Sequence, residues 1–349
     1  MSSTINVTVL VGNGFDLSAG LHTDTVSFIK EFAAQHDSDD GPIGELARRI
    51  KQDGPETWAD FEIMLGEYTQ QLEETSDDAV GAAVECKGAI DTALADFIGS
   101  EDSRISDEFI KENADSVISS LAFWHEALQP LERGAIERVF SKPFSLVIRF
   151  VTFNYTSLLP RIFEEFGQNG HAGPAGAQSV SDLQLVSLVQ AHGSLNREPV
   201  CGVNDVSQIR SGALADNEDV CTTYIKGEIQ QLFASDDNQR AVRAINAANV
   251  IIIFGLSLGE SDVRWWIEVI NFLKASEGHF VIVASTKANS SRKSATAYLH
   301  FVRQVKQRLL LHGGVDEEEF RELSKRVFII QSDRILRFQE NIAANDSGE

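Results

Sequence analysis

Six short apolar runs, each ending at small or polar residues, punctuate a chain whose other apolar positions mostly follow helical spacing. Val7–Val11 ends at Gly12-Asn13-Gly14, Phe144–Phe153 at Asn154-Tyr155-Thr156, and Leu183–Ala191 at His192-Gly193-Ser194. Asn249–Phe254 ends at Gly255-Leu256-Ser257-Leu258, Phe280–Ala284 at Ser285-Thr286, and Val327–Ile330 at Gln331-Ser332-Asp333. Continuous β-branched runs bounded by glycine predict strands buried on both faces, the habit of parallel sheets. Between the first two runs, Thr25–Ala34 puts Val26, Ile29, Phe32 and Ala33 on one helix face, and the polar cluster Asp37–Gly44 marks a boundary. Helical periodicity then runs from Glu45 to about Leu131. The predicted architecture is α/β: a parallel six-stranded sheet with helices on both faces and a helical insertion after the first strand–helix unit. Residues 1–36 and 143–340 form the nucleotide-binding domain on this reading, 37–142 the insertion, and 341–349 a polar tail that frays.

In an open parallel sheet the ligand crevice lies outside the carboxyl ends of the strands. Asn13, Asp16, Asn154, His192, Ser257 and Asp262, far apart in sequence, would meet there. Singly, each has a plainer role: Asn154 and Asp262 as helix caps, Ser257 in its own turn, His192 bonded to local backbone. Together, at successive strand ends, they point to one nucleotide-type site. The first loop is the leading phosphate candidate, because a glycine-rich turn from strand to helix collects unpaired N–H groups. It is not the G-x-G-x-x-G fingerprint: Leu17 stands where the third small residue belongs, the next glycine is Gly20, and the predicted helix starts late. In the insertion, Trp58-Ala59-Asp60-Phe61-Glu62 sets two carboxylates at a helix start. Asp60 or Glu62 either lines the cleft from above or serves the helix dipole, with Trp58 and Phe61 in the core. His125, beside Trp124 on an apolar helix face, reads as packed core.

Charge narrows the function. The 349 residues carry 52 acidic against 30 basic side chains, a formal net charge of −22, which repels nucleic-acid phosphates, so no direct nucleic-acid partner is expected. Lys293, Arg303, Lys306 and Arg308 fall along a predicted helix, Lys293–Leu311, as a solvated face. Cys86, Cys201 and Cys221 are widely separated and form no C-x-x-C, which supports neither a zinc ribbon nor a disulfide framework and fits a reducing cytoplasm. No acidic pair has metal-ligand spacing and no G-x-x-x-x-G-K-[ST] occurs, so neither a metal nor ATP-dependent chemistry is expected. The opening MSSTINVTVL lacks a basic region ahead of a long apolar core, and no run approaches the ~18 apolar residues of a spanning helix, so no membrane partner is expected.

Several blocks then combine. V-G-N-G-F-D-L-S-x-G-L-x-T from Val11, W-A-D-F-E from Trp58, F-N-Y-T from Phe153, H-G-S-L from His192, G-V-N-D from Gly202 and F-G-L-S-L-G-E-S-D from Phe254, with Trp265-Trp266 behind, resemble the bacteriophage abortive infection AbiH family in order and combination. AbiH-type sequences are in turn similar to the sirtuin-type NAD-binding fold, which implies a Rossmann-like sheet. Gly12 and Gly14 fall on that fold's first phosphate-loop glycines, and Asn154 on the Asn of its Q-N-x-D strand end. His192-Gly193 resembles its H-G pair, and Gly255–Leu258 its G-T-S-L segment. Two departures stand out: Thr156 occupies the position of the strand-end Asp, and the zinc-ribbon cysteines are missing. The resemblance therefore implies NAD+ hydrolysis, as in sirtuin-like phage-defence effectors, rather than protein deacylation.

Breaking the nicotinamide–ribose bond develops an oxocarbenium-like ribose and releases a neutral leaving group, so the site needs orientation and charge stabilisation more than a strong nucleophile. The resemblance then implies NAD as substrate, with Asn154 orienting the ribose or the attacking water, His192 accepting a proton and Asp16 assisting electrostatically. Gly12, Gly14 and Ser257 would hold the pyrophosphate and adenosine side, and Asp262 would contact ribose or cap the next helix. Asn13, Phe15, Thr156, Gly193, Gly255 and Leu258 would complete the nucleotide contacts. A rival reading keeps the pocket and drops the reaction: a module whose bound NAD or ADP-ribose switches a defence assembly. Either reading implies self-association or a defence-system partner protein.

Overall fold

The computed structural model describes residues 3–342 except 59, 169–176, 196–199, 233–235, 287 and 289–293. The strands are β1 (Ser3–Val11), β2 (Phe144–Thr152), β3 (Val180–Gln190), β4 (Val250–Phe254), β5 (Phe280–Ser285) and β6 (Val327–Gln331). They form one sheet in the order β3-β2-β1-β4-β5-β6, with every neighbouring pair parallel. This is the Rossmann order, in which the chain runs outward from β1 to β3 and then returns past β1 to start β4, leaving the switch point between β1 and β4. The ladder continues one step beyond the strands: Phe153 N–H donates to Val11 O, Gly12 N–H to Phe254 O, and Ala191 N–H to Thr152 O. The loops after β1 to β4 therefore leave the sheet along one edge.

Burial explains the runs. β4 is buried at every residue, whereas β3, the edge strand, alternates in exposure and leaves Val186 in solvent. Asp107–Ser119 and Leu158–Gln168 pack on one face with Ile5, Val7, Val9 and Val11 of β1. Asp237–Asn246, Val263–Ala275 and Ala295–His312 cover the other face, with Leu10. A third core contains no strand. Thr25–His36, Gly41–Asp53, Phe61–Thr75 and Ala79–Asp102 enclose Phe28, Ile50, Trp58 and Cys86, and the chain after β3 joins them through Cys201, Val203 and Tyr224.

Core membership thus crosses the sequence boundaries at 37 and 142. The Thr25–His36 helix buries its apolar face in the third core, while apolar residues from Ile105 to Ile136 pack with the sheet. His125 is fully buried, edge-on to Phe144, with Nδ1 3.1 Å from Ser179 Oγ. After β1 a one-turn helix, Gly14–Ser18, begins at once, ahead of Thr25–His36, so the first helix starts earlier than the spacing predicts. The predicted Lys293–Leu311 helix runs Ala295–His312; Lys293, Ala59 and the tail from 343 onward lie outside the described residues. Among the described residues no helix is long and apolar enough to cross a membrane.

Candidate functional site at the carboxyl edge of the sheet

The short helix after β1 carries Asp16 into the interior, where it is 1% exposed. Asn154, just past β2, donates from Nδ2 to Asp16 Oδ1 (2.8 Å) and to Gly12 O (3.2 Å). Thr156 Oγ1 donates to Asp16 Oδ2 (2.9 Å). Both carboxylate oxygens are therefore taken by the β2 end, and the Asn154 amide is held in one orientation. Burial pushes Asp16 up to about 7; the two hydrogen bonds favour its charged form, and nearby Asp102 adds to the rise. At this position a carboxylate would face Asp16, whereas the Thr156 hydroxyl satisfies it.

A second cluster forms around Lys226. Its Nζ donates to Glu62 Oε2 (2.8 Å), Asp262 Oδ1 (3.0 Å) and Ser261 O (3.2 Å). Glu62 Oε1 accepts the Gly202 N–H (2.9 Å). His192, edge-on to Phe153 with ring centroids 5.0 Å apart, places Nε2 3.3 Å from Asp262 Oδ1, at ion-pair distance without hydrogen-bond alignment. Burial alone would discharge Lys226, but Asp262 and Glu62 outweigh it and hold the ammonium above its ordinary pKa. Burial would likewise raise Asp262, yet Lys226 and His192 hold it well below the usual carboxylate range. Asp60 is pushed up to about 6 by burial and by Glu62, with Lys226 opposing. A cavity of about 40 Å³ opens beside His192, Lys226, Asp262, Asn204 and Trp265.

The blocks at Gly12, Trp58, Phe153, His192, Gly202 and Phe254, remote in sequence, are thus neighbours in space. A family model for bacteriophage abortive infection AbiH matches residues 8–283. The chain belongs to the AbiH family. Its setting is therefore phage abortive infection, and the match takes in every residue of both clusters. No curated protein matches the chain.

The AbiH G-N-G block packs directly on the loop after β4. Gly14 N–H donates to Gly255 O and Phe15 N–H to Gly12 O, so the amides of Gly12 and Gly14, expected to hold a pyrophosphate, and that of Phe15, expected to contact the nucleotide, are bonded within the protein. A Cβ on Gly14 would stand 2.5 Å from Gly255 Cα, and Gly255 takes a φ of 70°. Asn13 is committed to Thr23, donating to its carbonyl and accepting from its hydroxyl. Phe15 is a core residue against Phe254 and Phe338. Leu258 O faces His312 Nδ1 at 3.0 Å, Gly193 turns the chain at a φ of 78°, and Ser257 is exposed. Among the described residues no group of three His, Cys, Asp or Glu side chains could hold a metal ion.

The structure brings the AbiH strand ends into two clusters, Asp16-Asn154-Thr156 and His192-Asp262. Tyr155, next to Asn154, lies 6.5 Å from the His192 ring and donates to Val200 O. Glu62 and Asp60 of W-A-D-F-E reach the second cluster. Lys226, its central cation, escaped the sequence reading. One signal marks it: a lysine at the first position of a helix, Lys226–Leu232, where the dipole disfavours a cation unless carboxylates hold it there.

Proposed function

We propose that this AbiH protein hydrolyses NAD+ at the nicotinamide–ribose bond. The observation that carries the reading is the pair of held groups at the β2 and β3 ends: Asn154 fixed by Asp16 and His192 set against Asp262, on the edge where open parallel sheets take nucleotides. Cleavage of the C1′–N bond returns the bonding pair to the pyridinium ring, so nicotinamide leaves neutral and positive charge moves to the ribose. Three carboxylates, Asp60, Glu62 and Asp262, stand against one ammonium in the second cluster, a field that favours a cationic ribose. Water adds through oxygen to C1′, its proton passes to His192, and Asp262 stabilises the imidazolium. Asn154 orients the ribose or the water, and Asp16 positions Asn154.

The test is incubation of wild type, Asn154→Ala and His192→Ala with NAD+, following nicotinamide and ADP-ribose by chromatography. Wild type should release both, with each variant slower by about 10²–10⁴-fold. Equal turnover in all three, or none in wild type, overturns the assignment.

A second reading, sensing of NAD or ADP-ribose that switches a defence assembly, has its own observation. A pyrophosphate entering the glycine loops must displace the Gly14–Gly255 contact, which would couple occupancy to backbone movement at the switch point. NAD+ that raises the melting temperature of wild type without being consumed would favour it.

A further inference from the structure

A cavity of about 420 Å³ lies beside the carboxyl end of β6, outside both clusters. Phe123, Glu126, Leu128 and Arg133 wall it from the chain before β2, and Arg334 and Arg337 from the chain after β6. The protein has 52 acidic and 30 basic side chains, yet none of these three arginines makes an ion pair among the described residues. Arg337 lies instead over the Phe123 ring, 5.7 Å from its centroid. Glu126 contributes the opposite polarity: Oε1 accepts the Ser179 N–H, while Oε2 is buried without a hydrogen-bond partner. A buried acceptor lacking a donor is unfavourable, and a ligand hydroxyl or amino group would satisfy it.

We infer that this cavity binds a mononucleotide. Arginine forks match phosphate oxygens and tolerate desolvation better than lysine does. Glu126 Oε2 suits a ribose hydroxyl or a base amino group, and Phe123 with Leu128 supplies an apolar wall. The volume falls within the range of small-molecule sites and exceeds the needs of a bare inorganic anion. The segment carrying Arg334 and Arg337 continues to Phe338, whose ring lies 5.1 Å from Phe15 in the helix that bears Asp16. The site is separate from the proposed NAD+ site, and its test needs no turnover.

Calorimetric titration of the full chain with AMP, in the absence of NAD+, is the direct measurement, with inorganic phosphate and adenosine as the two halves of the probe. AMP should bind more tightly than either half and lose affinity with added salt. Arg334→Ala/Arg337→Ala, at exposed positions, should weaken AMP by about tenfold or more with the melting temperature unchanged, and Arg337→Lys should weaken it less. The loss in the double variant separates this cavity from the second cluster's cavity beside His192, which neither arginine lines. No binding of millimolar AMP, or equal binding by the double variant, overturns the site. Inorganic phosphate bound as tightly as AMP overturns the nucleotide assignment.

Discussion

Replacing Lys226 with methionine keeps an unbranched stem and removes the ammonium that Glu62 and Asp262 share. The side chains of Lys226, Glu62 and Asp262 are only 10%, 13% and 18% exposed, so water can replace little of what is lost. Two carboxylates would then face one another without a cation. Removing one partner of a buried pair costs about 3–5 kcal/mol, against about 0–1 kcal/mol for an exposed pair; the residual exposure puts the expectation near 3 kcal/mol. The pH dependence follows from Asp262. In wild type its pKa lies below the unfolded 3.8, so its stabilisation is present above that value and is lost only as pH falls through the folded one. In the variant Lys226 no longer opposes burial and only His192 still holds Asp262 down, so the Asp262 carboxylate rises; the penalty of its charge is present above the raised pKa and is relieved as pH falls. Urea unfolding of both proteins at about pH 7.5 and about pH 5 should show a deficit near 3 kcal/mol at the higher pH and a smaller one at the lower. Adding Asp262→Asn to the variant should recover part of the loss. A deficit under about 1 kcal/mol at pH 7.5, or one that does not change with pH, would refute the buried network.

Asp16 keeps its proton in the folded protein up to about pH 7, where the unfolded carboxyl, at 3.8, has lost it. This makes stability fall as pH rises between those values, as Asp60 also does up to about 6, and Asp16→Asn should flatten the slope in a urea series; parallel slopes would contradict the assignment. Gly255→Ala forces an L-residue to a φ of 70° with a Cβ 2.8 Å from Gly14 backbone, and should cost about 2–3 kcal/mol. Gly41→Ala is the control: its φ is 78° but nothing lies within 4 Å, so only strain of about 1 kcal/mol remains. Equal losses for the two glycines would show that the close approach of the loops carries no weight.

The strands and their polar ends are legible in the linear pattern because burial on both faces of a parallel sheet is a local demand: it selects continuous apolar runs, and the loop that follows must turn. Asn154, His192 and Asp262 stand out for that reason, and so does the α/β class. Local pattern cannot say where an apolar face is buried. Thr25–His36 is an evident amphipathic helix, yet whether Phe28 and Phe32 meet the sheet or a separate helical core depends on partners tens of residues away. Lys226 gains its meaning only when Glu62, 164 residues earlier, and Asp262, 36 later, close around it, since a charge is stabilised by what surrounds it in space. The glycine loop shows the same limit. G-N-G advertises free amides, and it is the arrival of β4 beside β1 that ties Gly12 and Gly14 to Phe254 and Gly255. Backbone donors are committed by whichever acceptor the fold brings within reach, and that choice belongs to the tertiary structure.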